Sequence, residues 1–219
     1  MIRQMQAAIF DLDGVIVDTA RYHYLAWKRL AREYGFDFSE SDNERLKGVS
    51  RMQSLEILLD IGGLQVDETT RVLMARKKND WYVDYIGGLT PKDLLPGAKE
   101  YLMGLRTRGV KTALGSASRN APLILERLEI APLFDAIVDG SQVEKAKPDP
   151  EVFLAAAREL DIRPENCVVF EDAEAGIEAA KRAGMGTVGV GNPLTMEKAD
   201  IYAAGLDQLA ALTFLPAQS

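Results

Sequence analysis

Residues 7–19, AAIFDLDGVIVDT, place a short apolar run directly before two carboxylates, Asp11 and Asp13. The continuous run Ala7–Phe10 predicts a strand buried in a parallel sheet, because such strands are covered on both faces. Ligands of open α/β sheets bind beyond the carboxyl ends of the strands, where we expect both aspartates. Two carboxylates in such proximity share a cation or a proton. Their oxygen donors favour a hard cation such as Mg²⁺.

The composition is that of an ordinary globular protein with excess negative charge. The 219 residues are 47% hydrophobic and 27% charged, enough for one large domain or one domain with a small insertion. A net charge of −7 disfavours non-specific binding to nucleic acid or to anionic membranes. No membrane span or secretory signal is recognisable, and the single cysteine, Cys167, excludes an intramolecular disulfide and is expected to be buried. We expect a cytoplasmic protein.

From Pro96 onward, helical and strand patterns alternate, which predicts a doubly wound parallel sheet. Before Pro96 the periodicity after the first strand is helical throughout. The predicted architecture is α/β. A Rossmann-like sheet domain of residues 1–15 and 95–219 is interrupted by an all-helical cap domain of residues 16–94. Two linkers, around Val15–Asp18 and Leu89–Leu94, are expected to form the hinge. The predicted later strands lie near Val110–Gly115, Ala136–Val138, Cys167–Glu171 and Thr187–Val190.

Three further segments place polar residues at or near the ends of predicted strands. Ser116 follows the second strand, Lys147 lies in an Ala-Lys-Pro-Asp-Pro segment, and Glu171 and Asp172 end the strand that begins at Cys167. An isolated Asp-Leu-Asp-Gly sequence has a second interpretation, because Asp-Gly pairs are common in turns. Four such segments in this order favour a functional site.

The four segments resemble the sequence motifs of the haloacid dehalogenase superfamily. The resemblance implies that Asp11 attacks a phosphoryl group and that Asp13 is the general acid/base. It also implies that Ser116 hydrogen-bonds the transferring group, and that Lys147 offsets negative charge. The implied ligands of a magnesium ion are Asp11, Asp13, Glu171 and Asp172. A dehalogenase is disfavoured, because the dehalogenases of the family lack the second acidic residue of the first motif.

Thr19 and the residues after it, among them residues 46–51, 76–80 and 116–120, resemble the β-phosphoglucomutase branch of that superfamily over most of the chain. The resemblance implies that phosphorylated Asp11 converts β-glucose 1-phosphate to glucose 6-phosphate, with β-glucose 1,6-bisphosphate as intermediate and activator. Thr19 and His23 are further implied catalytic residues, although His23 by itself is equally consistent with a cap histidine of no special role. Arg51, Ser118 and Asn120 are implied to bind the non-reacting phosphate. The full set of implied substrate-binding residues is Trp27, Lys47, Gly48, Arg51, Ser54, Lys78, Ala117, Ser118, Arg119 and Asn120.

Two alternative functions remain open from the sequence. A sugar-phosphate phosphatase shares the core chemistry and differs only in the cap and in the second phosphate site. A sugar-phosphate-binding regulator without turnover is disfavoured, because the motif residues are intact. Arg119 departs from the family pattern, which usually has lysine there. Gly184, Gly186 and Gly189 match a dinucleotide fingerprint, but they precede a strand, so they predict a helix end and a strand start. Small-molecule sugar phosphates are the expected partners, and we expect a monomer.

Overall fold

Six parallel strands form one sheet in the computed structural model, which describes residues 5–46, 49–193 and 198–211. In chain order they are β1 (Ala7–Phe10), β2 (Lys111–Gly115), β3 (Ala136–Val138), β4 (Cys167–Glu171), β5 (Gly186–Val190) and β6 (Ile201–Ala203). Their order across the sheet is β3-β2-β1-β4-β5-β6, which is that of a doubly wound fold. Phe10 of β1 pairs with Leu114 of β2 on one side and with Phe170 of β4 on the other. The residues that follow these three strands therefore meet at one edge.

Helices cover both faces of this sheet, as predicted. They are α5 (Ala98–Thr107), α6 (Ala121–Arg127), α7 (Glu151–Glu159) and α8 (Glu174–Arg182). Successive side chains of a strand point to opposite faces. Accordingly, Phe10 stacks on Phe170 in one buried cluster, with ring centroids 4.6 Å apart, while Ile9 and Phe153 belong to the cluster on the other face. Continuous apolar strands are thus explained by burial on both sides.

The chain between β1 and β2 is helical, and we call residues 16–94 the helical segment. Its helices are α1 (Ala20–Glu33), α2 (Glu40–Glu44), α3 (Arg51–Gly62) and α4 (Glu68–Ile86). Ser39 and Ser50 form capping boxes at α2 and α3, and Asp67 caps α4 by accepting from the Thr70 N–H at 2.7 Å. The segment also has its own buried cluster, which includes Trp27, Leu30, Phe38, Leu55, Leu58 and Met74.

The helical segment enters and leaves the sheet region at one place. Val17 forms an antiparallel bridge with Leu94, and the Leu95 N–H donates to the Ile16 carbonyl at 2.9 Å. The two predicted linkers therefore run side by side. Their action as a hinge, and the division into two domains, stay predictions.

A few local features differ from the sequence-based expectation. Strand β6 and the short helix α2 were not predicted. Thr19 stands at the N-cap of α1 but makes no side-chain capping bond, whereas Asp18 Oδ1 accepts from the Ala20 N–H at 3.0 Å.

Gly184, with φ of 74°, follows α8, and Gly186 begins β5, so the glycine pattern marks a helix end and a strand start as predicted. Within the described ranges, no helix is both long and apolar enough to cross a membrane.

Candidate active site

A buried lysine joins two carboxylates at the carboxyl edge of the sheet. Lys147 Nζ lies 2.6 Å from Asp11 Oδ1 and 2.7 Å from Glu171 Oε1, and all three side chains are buried or nearly so. Burial raises the pKa of Asp11 to about 7, against the opposing effect of the Lys147 charge. The two carboxylates outweigh burial at Lys147 and hold its pKa above the usual value. The lysine is therefore charged and fixes the orientation of Asp11.

Asp11, Glu171 and Asp172 form a carboxylate cluster suited to a cation. One oxygen from each lies within 4.8 Å of the others. Two glycines make room for it: a Cβ at Gly176 would lie 1.8 Å from Glu171 Oε1, and one at Gly14, where φ is +79°, would lie 2.1 Å from Asp172 Oδ2. Three carboxylates carry more negative charge than the single Lys147 can offset, and an all-oxygen donor set fits a hard divalent cation such as Mg²⁺.

The carboxylate of Asp13 is hydrogen-bonded to the helical segment. The Thr19 hydroxyl donates a hydrogen bond to Asp13 Oδ1, and the Tyr82 hydroxyl donates to Thr19 Oγ1 at 3.2 Å. Burial raises the pKa of Asp13 to about 6, and the Thr19 hydrogen bond opposes this rise. The carboxylate of Asp13 is not one of the three clustered carboxylates, and its predicted place among the metal ligands stays a prediction. The hydrogen bond that Asp13 accepts from Thr19 orients its carboxylate and suits a role in proton transfer.

Half-buried His23 and buried Lys78 form a pair beside Tyr82. Lys78 Nζ lies 2.8 Å from His23 Nδ1, and the His23 and Tyr82 rings are 4.0 Å apart. Burial, and then the charge of Lys78, lower the pKa of His23, while burial lowers that of Lys78. A neutral imidazole accepts a hydrogen bond from the lysine at Nδ1. Lys78 also lies over the rings of Trp27 and Tyr82, at 4.5 and 4.7 Å from their centroids.

A turn after β2 holds the predicted phosphate-binding residues. Ser116 is buried, and its Oγ accepts from the Ser118 N–H at 3.1 Å. The Arg119 Nε donates to the Gly140 carbonyl at 3.1 Å, which anchors a side chain that stands where lysine was expected. Asn120 Nδ2 donates to Asn79 Oδ1 of α4 at 2.9 Å, across the boundary with the helical segment.

Arg51 begins α3 close to this turn. Burial lowers its pKa, and the positive charge of Arg119 lowers it further. Ser54, on the same helix, is buried. The Ala117 carbonyl faces Gly140, where a Cβ would lie 2.1 Å from it. Lys47 and Gly48, also predicted to bind substrate, lie outside the described residues.

Sequence reasoning missed two polar residues of α4 that contact these groups. Neither Tyr82 nor Asn79 was among the predicted site residues, yet each hydrogen-bonds one of them. A weak signal was present for Tyr82, because it follows Lys78 by four residues and so shares its helix face. No local signal identifies Asn79, since its partner is 41 residues away.

A protein-family model described as haloacid dehalogenase-like hydrolase matches residues 5–184. The β-phosphoglucomutase of Bacillus subtilis is 51% identical over 200 residues, which cover 90% of this chain and 88% of that protein. A phosphorylated carbohydrates phosphatase of Thermotoga maritima is 35% identical over 183 residues, covering 83% and 82%. The crystal structure of a β-phosphoglucomutase from Clostridium difficile superposes with a TM-score of 0.91 at 44% identity, covering 94% of this chain and 93% of that one.

Proposed function

The chain belongs to the haloacid dehalogenase-like hydrolase family, and we propose that within this family it is a β-phosphoglucomutase. It interconverts β-D-glucose 1-phosphate and D-glucose 6-phosphate through a phosphorylated aspartate. Its identity with a mutase, 51%, exceeds its identity with a phosphatase, 35%, over similar lengths of chain. The geometry supports phosphoryl transfer, because the two aspartates at the end of β1 have different partners and suit different roles.

Asp11 is the proposed nucleophile. In the phosphorylated enzyme, the C6 hydroxyl oxygen of β-glucose 1-phosphate bonds to phosphorus while the bond from phosphorus to Asp11 breaks, giving β-glucose 1,6-bisphosphate. After this intermediate reorients, Asp11 attacks the C1 phosphoryl group and glucose 6-phosphate leaves. Lys147, at 2.6 Å from Asp11, offsets the charge that develops on the transferring oxygens, and Ser116 hydrogen-bonds the same group.

Asp13 is the proposed general acid/base. It takes the proton of the C6 hydroxyl during the first transfer and returns a proton to the C1 oxygen during the second. The observation that carries the proposal is the hydrogen bond from the Thr19 hydroxyl to Asp13, because this bond joins the proton-transfer group to the helical segment. A carboxylate oriented in this way acts when that segment lies against the sheet.

Mg²⁺, when bound, would neutralise charge on the phosphoryl oxygens. We assign its side-chain ligands to Asp11, Glu171 and Asp172, because their oxygens cluster within 4.8 Å. The positive charge of Lys147 offsets the repulsion between the carboxylates of Asp11 and Glu171, and its hydrogen bonds fix the orientation of both. β-Glucose 1,6-bisphosphate is the proposed activator, since it phosphorylates Asp11 and leaves a glucose monophosphate.

The helical segment is the proposed cap domain, with residues 1–15 and 95–219 as the catalytic domain. It excludes water, which would otherwise take the phosphoryl group of phospho-Asp11. The His23–Lys78 pair lies beside Tyr82 and so couples closure to Thr19 and Asp13. Arg51, Ser118, Arg119 and Asn120 bind the non-reacting phosphate. The remaining proposed sugar-site residues are Trp27, Lys47, Gly48, Ser54, Lys78 and Ala117.

A sugar-phosphate phosphatase is the second candidate, favoured by the 35% identical phosphatase and by a fructose-1-phosphate phosphatase of Escherichia coli that is 32% identical over 191 residues. A non-catalytic regulator is the third. Transfer of a phosphoryl group from acetyl phosphate to Asp11 excludes the regulator, and its complete absence would favour it.

One reaction with two readouts separates mutase from phosphatase. The protein receives β-glucose 1-phosphate, Mg²⁺ and a trace of β-glucose 1,6-bisphosphate, and glucose 6-phosphate and inorganic phosphate are followed together. Glucose 6-phosphate with little free phosphate supports the mutase, and free phosphate equal to the substrate lost contradicts it. Asp11→Asn should form neither product, whereas the control Asp37→Asn, at an exposed aspartate, should behave as the parent.

A further inference from the structure

An amide pair joins the sheet region to the helical segment on the phosphate side of the site. Asn120 Nδ2 donates to Asn79 Oδ1 at 2.9 Å, and both side chains are half-buried. Asn120 occupies the N-cap of α6, where asparagine usually accepts a hydrogen bond from its own helix, yet its side chain makes no capping bond. The side-chain amide of Asn120 instead donates its hydrogen bond to Asn79 of the helical segment.

This bond fixes how Asn120 presents its remaining polar atoms. A side-chain amide has two N–H donors and one carbonyl acceptor. With one N–H bound to Asn79, the plane of the amide is set, and the second N–H has a defined direction. We propose that Asn79 is a positioning residue, which orients Asn120 for the non-reacting phosphate and thereby latches the helical segment to the sheet. The proposal rests on the proposed function, because it assigns Asn120 to that phosphate.

The charges around the pair explain why a neutral latch is needed. Arg51 of the helical segment and Arg119 of the sheet region repel each other, and Asp80, next to Asn79, attracts Arg51. A phosphate between the two arginines reverses the repulsion, since each guanidinium then has an anionic partner. Before phosphate binds, the amide pair contributes attraction without adding charge to the cleft.

A double-mutant cycle tests the latch. Asn79→Ala should lower kcat/KM for β-glucose 1-phosphate about fivefold, the scale of one net neutral hydrogen bond. The loss should lie in KM, because the bond acts on binding of the non-reacting phosphate. In an Asn120→Ala background the same substitution should change kcat/KM less than about twofold, since Asn79 acts through Asn120. Equal losses in both backgrounds, or no loss in the parent, would overturn the proposal.

The matched control is Asn166→Ala. Asn166 Nδ2 donates to Gln6 Oε1 at 3.1 Å, a similar amide pair within the sheet region, and its loss should leave KM unchanged. Alanine is favourable within helix α4, so folding should persist, and Asn79→Ser provides a second variant without the amide. Rates are taken as glucose 6-phosphate plus inorganic phosphate. A parent that forms only inorganic phosphate refutes the mutase, while the cycle on total product still tests the latch.

Discussion

Replacing Lys147 by methionine removes the charge that the two buried carboxylates share while keeping the length of the side chain. Its two hydrogen bonds, of 2.6 and 2.7 Å, are of the charge-assisted kind. Each is worth about 1.5–3 kcal/mol, and removing one member of a buried ion pair costs about 3–5 kcal/mol. We therefore expect Lys147→Met to lower the free energy of unfolding by about 4 kcal/mol at pH 8 in a metal chelator.

Urea unfolding measures this loss. With an m value of about 3 kcal/mol/M, the midpoint should fall by about 1.3 M. The matched control is Lys145→Met, because Lys145 is exposed and its ammonium group lies 3.7 Å from the Asp149 carboxylate. Its effect should stay within about 0.5 kcal/mol.

The loss should also depend on pH in a defined direction. Without Lys147 the pKa of Asp11 rises beyond its value of about 7 in the parent, so at pH 5 the Asp11 carboxyl is protonated and its share of the penalty disappears. Equal midpoints for the two lysine variants at pH 8, or a loss of the same size at pH 5 and pH 8, would refute the reasoning.

Three other perturbations have outcomes that follow from contacts described above. Tyr82→Phe removes the hydrogen bond to the hydroxyl that holds Asp13 but keeps the ring, so kcat for glucose 6-phosphate formation should fall about fivefold. Gly176→Ala places a Cβ 1.8 Å from Glu171 Oε1, so it should weaken Mg²⁺ binding, measured by calorimetry. The control Gly104→Ala, in another helix, should not, because its added Cβ makes only an ordinary contact of 3.8 Å with Arg108 Nη2. The pKa of Asp13 is raised from 3.8 to about 6, so its contribution to stability is present below pH 3.8 and is lost as pH rises through 6. Between these two pH values, the parent should lose about 3 kcal/mol of its free energy of unfolding through Asp13, and Asp13→Asn should not show this loss. Urea unfolding in a metal chelator, repeated across the pH range, measures the difference.

Each of these expectations has a contradicting result. An unchanged kcat in Tyr82→Phe would mean that Thr19 orients Asp13 without help. Equal Mg²⁺ affinity in the two alanine variants would place the cation away from Glu171. If Asp13→Asn left the pH dependence of the urea midpoint unaltered, the carboxyl of Asp13 would titrate as it does in the unfolded chain.

The sheet was predictable because its strands are continuous apolar runs that end in polar residues. The limits Ala136–Val138 and Cys167–Glu171 agree with the structure, since apolar burial and the polar strand ends both define them. Strand β6 was missed because it is short and Tyr202 within it is exposed, so it lacks the apolar run of a central strand.

The site was predictable as far as it consists of residues at strand ends. Asp11 and Glu171 follow from parallel pairing alone, because β1 and β4 are neighbours in register. The contacts of α4 were not predictable, since Tyr82 and Asn79 reach partners 63 and 41 residues away. The hydrogen bond from Thr19 to Asp13 was likewise not predictable, since a threonine at the N-cap of a helix usually caps that helix instead.

The central place of β1 has a consequence for synthesis of the chain. Strand β1 pairs with strands that begin at Lys111 and Cys167, so it has no partner until synthesis has reached β2. The helical segment has mainly local contacts of its own and can fold meanwhile. We therefore expect the nascent protein to acquire its insertion before the sheet that carries it. Asp11 and Lys147 meet only after the 136 residues that separate them have been made.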